Sequence, residues 1–289
     1  MSISPRRRRV LLRVGFYGAA LFVGLPLAFS QVMVRTYRQP THRPPPGFEE
    51  ATVLSDGLRL RTWTIAGDPR RAAFVVVHGV GDSLESFTDV ADRLHRRGHT
   101  VLLLDLRGHG GSEGDTTTLG AREREDVRAG MKRLRERGLA GAGIALMGFS
   151  MGSVAVLRAA AAEPDVRAVV VEAPFDTYRD TVAWHAGVYY HLPRWTPLIP
   201  IAIRIAEWRG RFAADDADAV AAARQVRAPL LAIADGVDRR MPEAVVRRVY
   251  EAHPGPKQIW IAAKADHVGA SLDPGYWPVV FSFLDKHGV

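Results

Sequence analysis

Ser150 stands at the centre of Gly148-Phe149-Ser150-Met151-Gly152, directly after the apolar run Ile144-Ala145-Leu146-Met147 and just before the helix-forming stretch from Val154 to Ala162. Gly-x-Ser-x-Gly between a strand and a helix is the sequence form of a nucleophile elbow, a sharp turn that holds a serine hydroxyl out at the edge of a sheet. Strand and helix come so close there that side chains two residues either side of the serine would collide, and Gly148 and Gly152 have none. A serine hydroxyl is a weak nucleophile at its own pKa, so it needs a general base, and the base needs an orienting acid. Two later apolar runs supply candidates. Leu230 to Ala234 is followed by Asp235-Gly236-Val237-Asp238, and Gln258 to Ala262 by Lys264-Ala265-Asp266-His267. The order Ser150, Asp238, His267 is nucleophile, acid, base. Asp235 and Glu172 compete for the acid's role; Asp235 is nearer its strand end and better placed to shape the turn.

Acyl transfer also needs donors for the oxyanion of a tetrahedral intermediate. The amide of Met151, at the start of the helix, is one expected donor. The amide of Val80, in the loop His78-Gly79-Val80-Gly81 after the apolar run Phe74 to Val77, is the other. His78 has no second histidine or carboxylate at ligand spacing and is read as a brace for that loop. No metal or cofactor is expected, and the absence of cysteine removes disulfides and thiolate chemistry.

These residues need strands to carry them. The β-rich start Ala51 to Ile65 reads as a hairpin about Asp56-Gly57. Further strands are expected at 74–77, 101–104, 144–147, 168–171, 230–234 and 258–262, with helices at 85–97, 121–137, 151–162, 243–252 and 276–287. Short, wholly apolar strands separated by amphipathic helices point to a parallel sheet covered on both faces. Such sheets place their sites beyond the carboxyl ends of the strands. The span from Val171 to Leu230 is too long for a simple crossover. It carries Trp184, His185, Tyr189, Tyr190, Trp195 and Trp208, and is read as a helical cap over the site at about 176–226.

The N-terminus is of another kind. Residues 1–45 hold eight arginines and no acid, while the rest has 31 basic and 31 acidic residues. The net charge of +8 therefore belongs to the N-terminus, and no nucleic-acid partner is expected for the folded domain. After the basic segment 1–13, Val14 to Val34 carries no charge, and at 1.5 Å rise per residue such a run reaches ~30 Å, the hydrocarbon thickness of a bilayer. The denser arginine cluster precedes it, which places the rest of the chain on the extracytoplasmic side. Pro26, Ala28 and Ser30 resemble a processing site. The length of the apolar run favours a membrane anchor, with a cleaved signal peptide and a secreted or periplasmic domain as the alternative. Residues 35–49, with Pro40, Pro44, Pro45 and Pro46, read as a stiff extended spacer leading to a catalytic domain at 50–289.

Taken together, the elbow, His78-Gly79, Asp105-Leu106-Arg107-Gly108-His109-Gly110-Gly111-Ser112 and Gly236-Val237-Asp238-Arg239-Arg240-Met241-Pro242 resemble the α/β-hydrolase superfamily. Within it, the chain looks like the lysophospholipase, monoacylglycerol lipase and serine aminopeptidase branch, and Glu172-Ala173-Pro174-Phe175 is similar to a segment of its membrane-anchored members. The resemblance implies a mostly parallel eight-stranded sheet flanked by helices with an inserted helical cap, and it supports Asp238 as the acid. Ser153 departs from a second glycine found in many relatives. The expected activity is hydrolysis of carboxylic esters or thioesters, with a small acyl substrate, lipid included, as partner. The alternatives are amide or peptide hydrolysis on the same fold and an inactive, membrane-tethered binding protein. Reaction of Ser150 with an active-site probe separates the last from the others.

Overall fold

The computed structural model describes residues 4–289. Eight strands form one sheet: β1 Glu49–Ser55, β2 Leu58–Ile65, β3 Ala73–Val77, β4 Val101–Leu104, β5 Ile144–Phe149, β6 Val166–Glu172, β7 Leu230–Asp235 and β8 Lys257–Ala262. Their order is β1-β2-β4-β3-β5-β6-β7-β8. The β1–β2 and β2–β4 pairs are antiparallel and every other pair is parallel. The hairpin turns at Asp56-Gly57, both at positive φ (48° and 81°), as a tight two-residue connection requires. Every residue of β3, β4, β5 and β7 is buried, which is why these strands read as unbroken apolar runs.

Alternate residues feed two cores. Val75, Val77, Leu146 and Val169 face α3 (Glu123–Glu136), α4 (Met151–Ala162), a short α7 (Ala219–Ala223) and α8 (Glu243–Ala252). Phe74, Val76, Met147 and Val170 face α2 (Thr88–His95) and α9 (Tyr276–Lys286). The helix expected at 85–97 opens as a 3-10 turn, Leu84–Phe87, before α2.

Between β6 and β7, α5 (Tyr178–Tyr190) and α6 (Leu198–Gly210) are inserted. The rest of the span returns to the layer over the sheet, where α7 packs on α4 and α8. The insertion over the site is thus narrower than 176–226, because short Ala-rich α7 is the crossover helix itself. Trp195 and Trp208 also depart from the cap reading: they are 83% and 79% exposed and are not among the residues lining the cavity at Ser150.

The N-terminal helix α1 runs from Pro5 to Met33, continuous through the basic segment and the charge-free run. Its residues up to Leu25 are exposed, whereas Pro26, Ser30 and Met33 are buried against the domain. Residues 35–49 are extended, as their prolines suggest, but they are fastened to the domain rather than standing clear of it. Tyr37–Arg38 pairs in parallel with His109–Gly110. Val34 O accepts from Thr117 N at 3.2 Å, and Gln39 Nε2 donates to Gly81 O at 2.7 Å. Prolines keep the segment extended, and an extended segment still has free backbone groups with which to pair.

Candidate active site

The elbow forms as its residue types demand. Ser150 has φ 51° and ψ −116°, a conformation that is costly for any residue with a side chain. It is held by Ser150 N donating to Glu172 O at 2.9 Å across to β6. A methyl group on Gly152 would lie 2.5 Å from His78 O, and one on Gly148 would overlap the backbone of Gly152. Ser153, in place of the usual glycine, puts Oγ 2.7 Å from Gly148 O and 2.8 Å from Glu172 O, so its hydroxyl ties the elbow to the neighbouring strand.

The loops after β7 and β8 converge on Ser150. His267 Nε2 lies 3.0 Å from Ser150 Oγ, and His267 Nδ1 lies 2.6 Å from Asp238 Oδ2. With Nδ1–H donating to Asp238, Nε2 is left as the acceptor facing the serine hydroxyl. Asp238 Oδ1 accepts from the amides of Arg240 (2.6 Å) and Met241 (3.0 Å). Burial pushes the Asp238 carboxyl up, but the bond to His267 and the Met241 amide outweigh it and leave its pKa lowered.

The two competing acids lie behind the histidine loop and touch its backbone. Asp235 Oδ2 accepts from Val268 N at 2.9 Å, and Glu172 Oε1 from Ala270 N at 3.1 Å. Val268 has φ 58°, an outlier for a β-branched residue, and the Asp235 bond fixes it there. Burial raises Asp235 to about 6, and burial followed by repulsion from Asp235 raises Glu172 to about 8.

His78 Nδ1 lies 2.7 Å from Gly79 O, and Leu106 N donates to Nε2 at 3.1 Å. Burial lowers its pKa, so the neutral ring braces the loop after β3 against the loop after β4. That loop presses on the nucleophile: a methyl group on Gly79 would sit 3.0 Å from Ser150 Cβ. Val80 and Met151 both line the cavity at Ser150, and neither amide has an acceptor among the described residues. Among those residues, no group of three or more His, Asp or Glu side chains is arranged to hold a metal ion.

The cavity above Ser150 has a volume of about 710 Å³, within the range of small-molecule sites. His185, Tyr189 and Tyr190 of α5 line one side. Trp184 Nε1 donates to Arg239 O at 3.0 Å, which ties α5 to the loop carrying Asp238. Next to them the cavity is lined by residues that sequence reasoning assigned to an anchor and a spacer, Phe29, Val32, Met33 and Tyr37, with the Phe29 ring against Tyr190. Their only signal was apolar character, which serves a bilayer and a pocket equally.

A family model described as serine aminopeptidase, S33, matches residues 68–225. Uncharacterized protein YqkD of Bacillus subtilis is 29% identical over 217 residues, spanning 73% of this chain and 70% of that protein. Uncharacterized protein Rv2307c of Mycobacterium tuberculosis is 28% identical over 235 residues, spanning 80% and 76%. Among solved structures, the Pyrococcus furiosus esterase Pf2001 superposes with a TM-score of 0.72 at 24% identity, covering 88% of this chain and 98% of that one. Acetyl xylan esterase 1 from Thermoanaerobacterium superposes with a TM-score of 0.63 at 18% identity, covering 91% and 92%.

Proposed function

The chain belongs to the serine aminopeptidase S33 family of α/β-hydrolases, a family of hydrolases, and on that premise we propose that it cleaves carboxylic esters or thioesters through an acyl-enzyme on Ser150. The observation that carries this reading is the hydrogen-bonded line Ser150–His267–Asp238, with separations of 3.0 and 2.6 Å. His267 Nε2 takes the Ser150 proton as Oγ attacks the carbonyl carbon. The imidazolium is held by Asp238, whose lowered pKa keeps it charged. The carbonyl oxygen, now an oxyanion, is bound by the amides of Met151 and Val80. His267 gives its proton to the departing alkoxide or thiolate. Water, deprotonated by the same nitrogen, then attacks the acyl carbon and restores Ser150.

The cavity favours an ester over an aminopeptidase substrate. A free α-ammonium would call for a carboxylate facing it. Asp82 is the acid on the lining; its Oδ1 accepts from Ser83 N and Ser86 Oγ, which leaves a single oxygen, Oδ2, to face such a group. Apolar side chains such as Phe29, Met33, Leu119 and Tyr190 suit an acyl chain instead.

The test is a small fluorophosphonate probe applied to the full-length protein in detergent beside Ser150→Ala. The expected result is a label on the peptide containing Ser150 that is absent from the variant, together with hydrolysis of p-nitrophenyl esters. A folded protein with an unlabelled Ser150 would point instead to a tethered binding protein.

A further inference from the structure

The proposed reaction takes place on the polar floor of the cavity, and its apolar wall is left to receive an acyl chain. Much of that wall comes from α1. Pro26, Ser30 and Met33, spaced four and three residues apart, form one stripe on the helix, and this stripe packs along α6. The Phe29 ring meets Tyr190 of α5 edge-on at 4.8 Å between centroids. Phe29, Val32 and Met33 then face the cavity that holds Ser150. The chain leaving the helix is fastened at once, by Thr117 N to Val34 O (3.2 Å) and Tyr37 N to Gly108 O (2.8 Å).

The same helix also offers apolar side chains that are largely exposed. Val10 through Leu25 are exposed, with Phe16 and Tyr17 among the most exposed at 70% and 63%. From Leu25 to Phe29 is four residues, ~6 Å along a helix axis. The part fit for a bilayer and the wall of the cavity are therefore adjoining turns of one helix, meeting at Pro26. α6 continues this surface: Ile201, Ile205 and Trp208 line a shallow apolar groove on its outer face. An exposed tryptophan beside a spanning helix is typical of the membrane interface.

The geometry points to α1 as a substrate-binding element: its last two turns form the wall along which the apolar chain of a membrane amphiphile runs from the bilayer to Ser150. This rests on the acyl-hydrolase reading for what happens at the chain's head, and on α1 spanning the bilayer. The position of the chain is independent of chemistry at Ser150.

Photocrosslinking reads that position directly. Full-length Ser150→Ala in phospholipid nanodiscs is irradiated with a C16 fatty acid that carries a diazirine near its methyl end, and the labelled residues are located by mass spectrometry. Labels at Phe29 to Met33 and at Tyr189 or Tyr190 are expected. Val32→Trp, which fills the wall, should reduce them at least tenfold, while labels at Phe16 to Phe22 persist as the internal measure of lipid contact. In the active protein, Val32→Trp should lower the ratio of dodecanoyl-ester to acetyl-ester kcat/KM at least tenfold, and Leu21→Trp should not change it. Labels confined to Phe16 to Phe22, or pocket labels indifferent to Val32→Trp, would overturn the proposal. A failed fluorophosphonate reaction would overturn the hydrolase reading and leave the crosslinking result standing.

Discussion

Three acids were candidates for one role, and the structure gives each a different partner. Asp238 alone meets the His267 ring, while Asp235 and Glu172 accept backbone amides from the loop that carries it. Asp238→Asn therefore removes the charge that stabilises an imidazolium and disturbs the tautomer, and kcat should fall by about 10⁴-fold. Asp235→Asn keeps an acceptor for Val268 N, so a loss in kcat under tenfold is expected. Esterase kinetics on the two variants would decide between them, and equal losses would place both acids in the reaction. Glu172 has a consequence for stability. Its folded pKa of about 8 lies above the ordinary glutamate value of 4.5. The native state thus holds a proton that the unfolded state has already lost, and stability declines as pH rises from about 4.5 to about 8. Glu172→Gln keeps the bond to Ala270 N and cannot ionise. Its melting temperature should gain on the wild type steadily between pH 5 and 8; parallel curves would show that Glu172 titrates normally. Residue type, chain order and the likeness of Gly236 to Pro242 pointed to Ser150, His267 and Asp238 before the fold was in view. The structure adds the contacts, since one strand end offers Asp235 and Asp238 three residues apart and the course of the loop brings Asp238 to the ring.

At the scale of elements, strands buried on both faces were legible because burial removes polar residues from all but their ends, and the elbow was legible because steric crowding demands glycine at fixed positions. Gly152→Ala places a methyl group 2.5 Å from the His78 carbonyl, which neither strand nor helix can yield. The expected cost is about 1–3 kcal/mol in denaturant unfolding. The loop after β4, singled out in the sequence by its resemblance motif, rests on a buried ion pair whose partners lie far off in the chain. Arg107 Nη2 lies 2.6 Å from Asp126 Oδ1 of α3 and 3.1 Å from Asp56 Oδ2 at the hairpin turn, so one guanidinium joins three elements. Arg107→Met would leave Asp126 charged, buried and unpaired, a loss of about 3–5 kcal/mol. A smaller loss in thermal or urea unfolding would mean that water reaches Asp126. The cap was legible only as an excess of length: the sequence between β6 and β7 does not say that α5 and α6 leave the sheet while α7 returns to it, because each is apolar on the face it buries.

For the whole molecule, the division into anchor, spacer and domain dissolves at one point. A charge-free helix reads as a membrane segment whether its end contacts lipid or protein, since both surroundings select apolar side chains. The buried stripe Pro26, Ser30, Met33 distinguishes them, and it is visible only once α6 is in place. Met33 and Val34 are 8% and 2% exposed, and Tyr37 stacks on His109 at 5.7 Å between ring centroids. Burial of an aliphatic side chain of this size stabilises by roughly 1.5–3 kcal/mol. A chain beginning at Pro44 gives up these contacts and opens the apolar interior beneath them to water. Its melting temperature should lie well below that of the full-length protein in the same detergent, with more self-association in sedimentation. Equal melting temperatures would show that α1 only tethers the domain. A large difference would also bear on processing: cleavage after Ala28 or Ser30 cuts through the docked stripe, so a mature chain that still carries residues 5–33 by intact mass is the outcome consistent with a helix that belongs to the folded unit.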